Sequence, residues 1–148
     1  MDHKKYMREA LSLARSAADQ GEIPVGCVIV DKNGEIIGRG QNTREQNHNA
    51  LGHAEISAID EACRNLGDWR LEGCTIYVTL EPCPMCTGAI INARIPTVVF
   101  GAREENFGSC GSVIDLFSER YGHKPKVYAG VLGDECAELL KNFFKRLR

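Results

Sequence analysis

Thr75-Ile-Tyr-Val-Thr-Leu80, followed at once by Glu81-Pro-Cys-Pro-Met-Cys86, is the stretch that decides the fold. The first six residues are rich in β-branched and aromatic side chains, which predicts a strand. The next four residues predict a sharp turn, and Pro84 suits the first position of a helix, which we expect to run to Ala93. The thiols of Cys83 and Cys86 therefore lie at the junction between a predicted strand and a predicted helix.

The rest of the chain alternates between helix and strand patterns. Apolar periodicity and turn signals predict, in chain order, a helix from His3 to Gly21, strands Val25–Asp31 and Glu35–Gln41 joined as a hairpin, a helix from Ala54 to Leu66, a strand from Thr97 to Phe100, a short helix from Ser112 to Arg120, a strand from Lys126 to Ala129 and a helix from Asp134 to Leu147. Such alternation predicts an α/β fold of three layers, with helices on both faces of a central mixed sheet. The 148 residues suit a single domain, 1–148.

Composition limits the function classes. Hydrophobic residues make up 43% and charged residues 26%, which is typical of a soluble globular domain. With a net charge of −2, the protein as a whole does not attract nucleic acid electrostatically, so any contact with nucleic acid requires a local basic patch. No apolar run approaches the roughly 20 residues that span a bilayer, and the N-terminus does not resemble a signal peptide. We expect a cytoplasmic protein that does not enter a membrane.

The chain has seven cysteines, an odd number with no export signal, so a disulfide framework is not expected. Cys27, Cys63, Cys74 and Cys136 are interpreted as small buried apolar residues. Cys83 and Cys86 need another account, because their spacing and position suit a metal.

His53-Ala54-Glu55, at the start of a predicted helix, completes a constellation with Cys83 and Cys86. Zinc favours imidazole and thiolate ligands, and a catalytic zinc has three protein ligands and one open position. Glu55 can exchange protons with a water at that position, whose pKa zinc lowers toward about 7. Each motif alone is also compatible with redox, structural-metal, surface or core roles. Together, inside an α/β pattern, they predict hydrolytic deamination of a nucleobase ring.

These motifs resemble the cytidine deaminase-like superfamily. More narrowly, the sequence is similar to the bacterial tRNA-specific adenosine deaminases, which convert the wobble adenosine of a tRNA anticodon to inosine. The resemblance covers nearly the whole chain and includes Glu22–Gly26, Asn42, His53–Glu55, Trp69–Leu71, Leu80–Cys86, Val99–Arg103, Gly108–Ser112, Gly130–Leu132 and Phe143–Phe144.

The resemblance implies a mixed sheet of five strands and a homodimer with sites near its interface. It implies one Zn²⁺ per subunit on His53, Cys83 and Cys86, with Glu55 as the proton shuttle. Asn42 would bind the base edge, and the Ala54 N–H would contact the ring carbonyl as it forms. The partner would be a tRNA anticodon stem-loop. The residues expected near the RNA are Glu104, Phe143, Phe144 and Arg148, the last on a basic helix face with Lys141, Lys145 and Arg146.

The chain departs from the family pattern beside the expected pocket. Asn49-Ala50-Leu51-Gly52 stands where the family commonly has Asp-Pro-Thr-Ala, Glu104 replaces a frequent Asp, and Asn142 replaces another. A deaminase of free nucleobases or nucleosides, of the guanine or cytosine type, therefore stays as an alternative function. A third hypothesis is a non-catalytic zinc module, for which Cys74 and Cys110 are the only extra thiols to consider as ligands.

Overall fold

The computed structural model describes residues 1–147. Its elements, in chain order, are α1 (His3–Asp19), β1 (Gly26–Val30), β2 (Ile36–Gln41), α2 (Ala54–Leu66), β3 (Thr75–Leu80), α3 (Pro84–Ala93), β4 (Thr97–Ala102), a 3₁₀ turn (Leu116–Ser118), β5 (Lys126–Ala129) and α4 (Gly133–Arg146). The expected helices and strands are present, with one exception described below.

The five strands form one sheet in the order β2-β1-β3-β4-β5. Strand β1 is antiparallel to β2 and β3, whereas β3, β4 and β5 are parallel, so the sheet is mixed as expected. The carboxyl ends of β3 and β4 lie side by side, and Glu81 and Arg103 follow them directly. In open α/β sheets this edge is where ligands bind.

Two helices cover each face of the sheet. Helices α1 and α4 pack on one face, where Met7, Leu11 and Tyr77 are buried. Helices α2 and α3 pack on the other, where Ile76 and Ile90 are buried. Neighbouring residues of a strand point to opposite faces, so Ile76 and Tyr77 serve different layers. The three-layer α/β prediction is confirmed.

Helix α2 lies unusually close to β2, and glycines allow this. A Cβ atom at Gly40 would lie 2.1 Å from the carbonyl oxygen of Ala54, and one at Gly38 would lie 2.2 Å from that of Ala58. Because real Cβ atoms do not approach that closely, both positions require glycine. The contact fixes the first turn of α2, where His53 and Glu55 lie, against the sheet.

The short helix predicted for Ser112–Arg120 is wrong, and only a single 3₁₀ turn, Leu116–Ser118, forms there. In a helix that begins at Ser112, the Leu116 N–H would donate to the Ser112 carbonyl, but here it donates to the Ser109 carbonyl at 2.9 Å. The N–H of Gly111, just before the predicted helix, donates forward to the Ile114 carbonyl at 2.9 Å. The Asp115 carboxylate accepts from the Phe117 N–H at 3.2 Å and caps the turn.

Three of the four cysteines that we interpreted as core residues, Cys27, Cys74 and Cys136, are buried. Cys63 is half-buried and packs against the same core. Among residues 1–147, no helix is both long and apolar enough to cross a membrane.

Candidate active site

Three side chains converge where α2 and α3 begin. His53 is the N-cap of α2 and Cys83 is the N-cap of α3, with Cys86 in the first turn of α3. The Nδ1 atom of His53 lies 3.6 Å from the Sγ atom of Cys83 and 3.6 Å from that of Cys86. Helix geometry therefore brings together donors that are 30 or more residues apart in sequence.

These distances fit a tetrahedral zinc site. Ligands at Zn–S and Zn–N lengths of about 2.3 and 2.0 Å, placed tetrahedrally, have N and S atoms about 3.5 Å apart. In residues 1–147, His53, Cys83 and Cys86 are the only group of three such residues whose ligand atoms lie within 4.8 Å of one another, and no fourth His, Cys, Asp or Glu joins them. The donor set can thus hold a zinc ion and leaves one coordination position for a small molecule.

The two thiols differ in how readily they lose a proton. Hydrogen bonds from Cys86 and His53 lower the pKa of the Cys83 thiol to about 4. The same contact with Cys83 raises the pKa of the Cys86 thiol, and a hydrogen bond to Cys83 raises the pKa of the His53 imidazole. Cys83 is therefore the thiol of the pair that loses its proton more readily. A bound zinc would keep both sulfurs deprotonated.

Glu55 lies two residues after His53, in the first turn of α2, and its side chain is buried. Burial raises the pKa of the Glu55 carboxyl to about 7. A carboxyl group with a near-neutral pKa is suited to both accepting and returning a proton. Glu55 does not belong to the cluster of potential ligands, so its carboxyl lies next to the metal donors without being one of them.

A cavity of about 710 Å³ opens above these residues. Its base includes His53, Glu55 and Cys83. One wall is the β2–α2 loop, another is the segment after β4, and α4 contributes a third. The cavity is large enough for a nucleobase with its sugar.

The structure places most of the expected substrate residues at this cavity. Asn42, Ala54, Glu104 and Phe144 line it. Phe143 does not, because it is buried in the core and meets Phe144 edge to face with ring centroids 5.5 Å apart. The expectation for Arg148 falls outside the described residues.

Sequence reasoning missed several cavity residues. Arg44 lies two positions after Asn42, and Arg103 and Phe107 follow β4; all three line the cavity. The glycines between Gly101 and Gly111 predicted a loop after β4, but they did not indicate which of its side chains line the cavity. Among residues 1–147, Cys74 and Cys110 do not belong to the cluster of potential metal donors, and the Cys110 thiol lies 3.6 Å from the Thr87 hydroxyl.

Known proteins are similar to this chain over nearly its whole length. The family model of MafB19-like deaminases matches residues 1–148. A tRNA-specific adenosine deaminase of Bacillus subtilis (strain 168) is 50% identical over 144 residues, covering 97% of this chain and 89% of the relative. A solved structure from studies of A-to-I editing by tRNA:A34 deaminases at the wobble position of transfer RNA has a TM-score of 0.88 at 41% identity, covering 91% of this chain and 98% of that one. A guanine deaminase structure from Bacillus subtilis has a TM-score of 0.67 at 38% identity, covering 80% and 74%.

Replacing His53, Cys83 or Cys86 by alanine should lower the zinc content of the purified protein from about one ion per chain to a small fraction of that, because two donors hold zinc poorly. Elemental analysis by mass spectrometry measures this. Cys110→Ala is the matched control and should keep its zinc. Full occupancy in Cys86→Ala, or loss in Cys110→Ala, would show that a different ligand set binds the metal.

Proposed function

Because the chain belongs to the MafB19-like deaminase family, we propose that it hydrolyses the 6-amino group of adenosine at the wobble position of a tRNA, giving inosine and ammonia. The observation that carries this proposal is the buried Glu55 beside three converging zinc donors, under a cavity of nucleoside size. The relatives named as tRNA deaminases at 41–50% identity support the choice of substrate. The setting would be the cytoplasm, where tRNA is found.

The chain's own groups account for the proton transfers. A zinc ion, when bound, acts as a Lewis acid that makes a water nucleophilic near neutral pH. The Glu55 carboxylate would take one proton from the water as its oxygen bonds to the ring carbon, and give that proton to the ring nitrogen. It would then take the remaining proton from the same oxygen and deliver it to the amine, so that the C–N bond breaks and ammonia leaves as the carbonyl forms. Asn42 would hydrogen-bond the base edge, and the Ala54 N–H would hold the new carbonyl oxygen. Burial of Glu55 suits this exchange, because its pKa lies near neutrality.

The rim of the cavity supports an RNA substrate. Arg44 and Arg103 line it and offer guanidinium groups for phosphates. Phe144 is 45% exposed and offers a face on which an unstacked base can lie. Lys141, Lys145 and Arg146 are exposed on α4, the helix that carries Phe144. A local basic rim is what a chain of net charge −2 needs in order to bind RNA.

Deamination of a free purine is the second candidate. It is favoured by one observation, the 38% identity and TM-score of 0.67 with a guanine deaminase structure. The metal chemistry would be the same, and only the cavity walls would differ. Incubation with guanine, cytosine and their nucleosides, followed by ammonia measurement, separates the two.

The wild-type protein should convert the wobble adenosine of an anticodon stem-loop to inosine, and Glu55→Gln should reduce the rate by about 10²–10⁴-fold while keeping zinc. Nucleoside mass spectrometry of the digested RNA measures inosine. Cys110→Ala is a control with an unaltered site. Inosine formation by Glu55→Gln at the wild-type rate would remove Glu55 from the mechanism, and no inosine from the zinc-loaded wild type would refute the tRNA substrate.

Phe144→Ala should weaken binding of the stem-loop by about 5- to 150-fold, the usual value of one base–aromatic stack. Phe144→Tyr should restore it, because tyrosine presents a similar ring. Fluorescence anisotropy with a labelled stem-loop measures the dissociation constant. Tyr121→Ala removes another exposed aromatic side chain outside the cavity and should leave the dissociation constant unchanged. Equal affinities for Phe144→Ala and wild type would exclude the stack.

We also propose a homodimer, in line with the family resemblance. Phe107, Val113 and Ile114 are exposed apolar residues of the segment that forms one cavity wall. Light scattering after size exclusion should give twice the chain mass, and Ile114→Asp should lower it toward one chain by placing a charge in the interface. Leu66→Asp, at the opposite end of α2 from the site, is the control. A wild-type mass of one chain would rule out the dimer.

A further inference from the structure

Two glutamates that the deamination chemistry does not use are buried beside the cavity. Glu22 is fully buried and Glu81 is 2% exposed. Among residues 1–147, neither forms a salt bridge with a lysine, arginine or histidine. A buried carboxylate is costly unless other groups compensate its charge. In both cases the compensating groups are backbone N–H donors of the cavity walls.

Glu81 binds the wall that follows β4. Its Oε1 atom accepts from the backbone N–H of Glu104 at 3.1 Å, and its Oε2 atom accepts from Cys110 and Ser112, each at 3.0 Å. The Ser112 hydroxyl also donates to Oε1. A carboxylate offers about four acceptor positions, so all are occupied. Glu81 thus has no acceptor position left for a substrate, and it holds both ends of the segment 104–112.

Gly108 shows how closely this wall lies on Glu81. A Cβ atom at Gly108 would lie 2.5 Å from the Cδ atom of Glu81 and 2.3 Å from the carbonyl oxygen of Glu104. Any side chain there would push the segment away from the carboxylate. Glycine is therefore required for the hydrogen bonds of Glu81 to form.

Glu22 binds the other wall, the β2–α2 loop. Its two carboxylate oxygens accept from the backbone N–H of Glu45 at 3.1 Å and of Gln46 at 2.7 Å. The ends of this loop are tied by the Thr43 N–H, which donates to the Gly52 carbonyl at 2.9 Å. Glu22 holds the middle of the loop with two bonds, whereas Glu81 holds its segment with four.

We infer that Glu22 and Glu81 are positioning residues, which hold the two substrate-contacting walls of the cavity at fixed places above the metal site. Arg44 and Asn42 lie on the wall that Glu22 holds, and Arg103 and Phe107 lie on the wall that Glu81 holds. The inference rests on the proposed function for the identity of the substrate, but the anchoring itself is a property of the free protein.

Glutamine has nearly the shape of glutamate, but it carries no charge and has an NH₂ donor in place of one acceptor oxygen. Glutamine substitutions therefore test the charge and the acceptors while the shape stays nearly the same. In Glu81→Gln, either orientation of the amide turns an NH₂ group toward at least one backbone N–H, so a bond is replaced by a clash of donors. In Glu22→Gln, one of the two bonds is likewise replaced by a clash of donors. Each substitution should therefore loosen the wall that its carboxylate holds.

Steady-state kinetics with the anticodon stem-loop tests this inference in zinc-loaded protein. Glu81→Gln should raise KM by about tenfold and change kcat by less than about threefold, because a charge-assisted hydrogen bond is lost from the wall and not from the reacting groups. Gly108→Ala should behave in the same way. Glu105→Gln removes an exposed carboxylate of the same segment and is the matched control.

Hydrogen exchange supplies a readout that needs no turnover. In Glu81→Gln the amides of Glu104, Cys110 and Ser112 should lose protection, while zinc content and thermal unfolding of the core stay near wild type. If Glu81→Gln does not fold, Ser112→Ala, which removes one donor only, should show the same changes at smaller size. Wild-type protection with wild-type KM, or loss of zinc with the wall still protected, would overturn the inference. Absence of inosine in the wild type would instead refute the proposed function, and hydrogen exchange would still decide the anchoring.

Discussion

The close approach of α2 to β2 is the constraint on which the site depends. Gly38 and Gly40 leave no room for side chains, and the helix lies directly against the strand. This fixes the N-terminus of α2 beside the carboxyl end of β3, where α3 begins. Two helix N-termini thus meet at one point, and their partial positive charges favour the thiolates and carboxylate gathered there. The metal donors lie close together because the backbone of α2 lies close to that of β2.

Two buried carboxyl groups near this point, those of Glu55 and Glu81, have pKa values shifted in opposite directions. The number of hydrogen-bond donors around each group explains the difference. Burial raises the pKa of Glu55 to about 7. Burial also acts to raise the pKa of Glu81, but hydrogen bonds from Ser112, Glu104 and Cys110 outweigh it and bring the pKa below its usual value. A carboxylate saturated with donors keeps its charge and serves as an anchor. One that is poorly supplied with donors can exchange a proton, which suits catalysis.

The sequence predicted the three layers, the mixed sheet and the three residues that cluster as potential metal donors, because periodicity and short motifs determine them. His53 and Cys83 each stand at a helix start that the sequence marks by its own signals. The short helix predicted at Ser112–Arg120 is wrong because the Leu116 N–H, which a helix would bond to Ser112, donates to the Ser109 carbonyl, in a segment that Glu81 holds through the N–H groups of Cys110 and Ser112. No local pattern reports such a long-range acceptor. Phe143 and Phe144 show the same limit, since periodicity put both on the apolar side of α4 and only packing separates them.

The proposed metal chemistry does not depend on which ring carries the amino group, so in the proposed function the walls of the cavity decide the substrate. The wall that departs from the family pattern, Asn49–Gly52, is closed by the Gly52 N–H donating to Asn49 at 3.0 Å. A Cβ atom at Gly52 would lie 2.8 Å from the backbone nitrogen of Arg44. An alanine, which the family commonly has there, would force one of the two backbone segments to shift. Gly52 therefore allows the loop backbone to lie directly against that of Arg44, whose side chain lines the cavity.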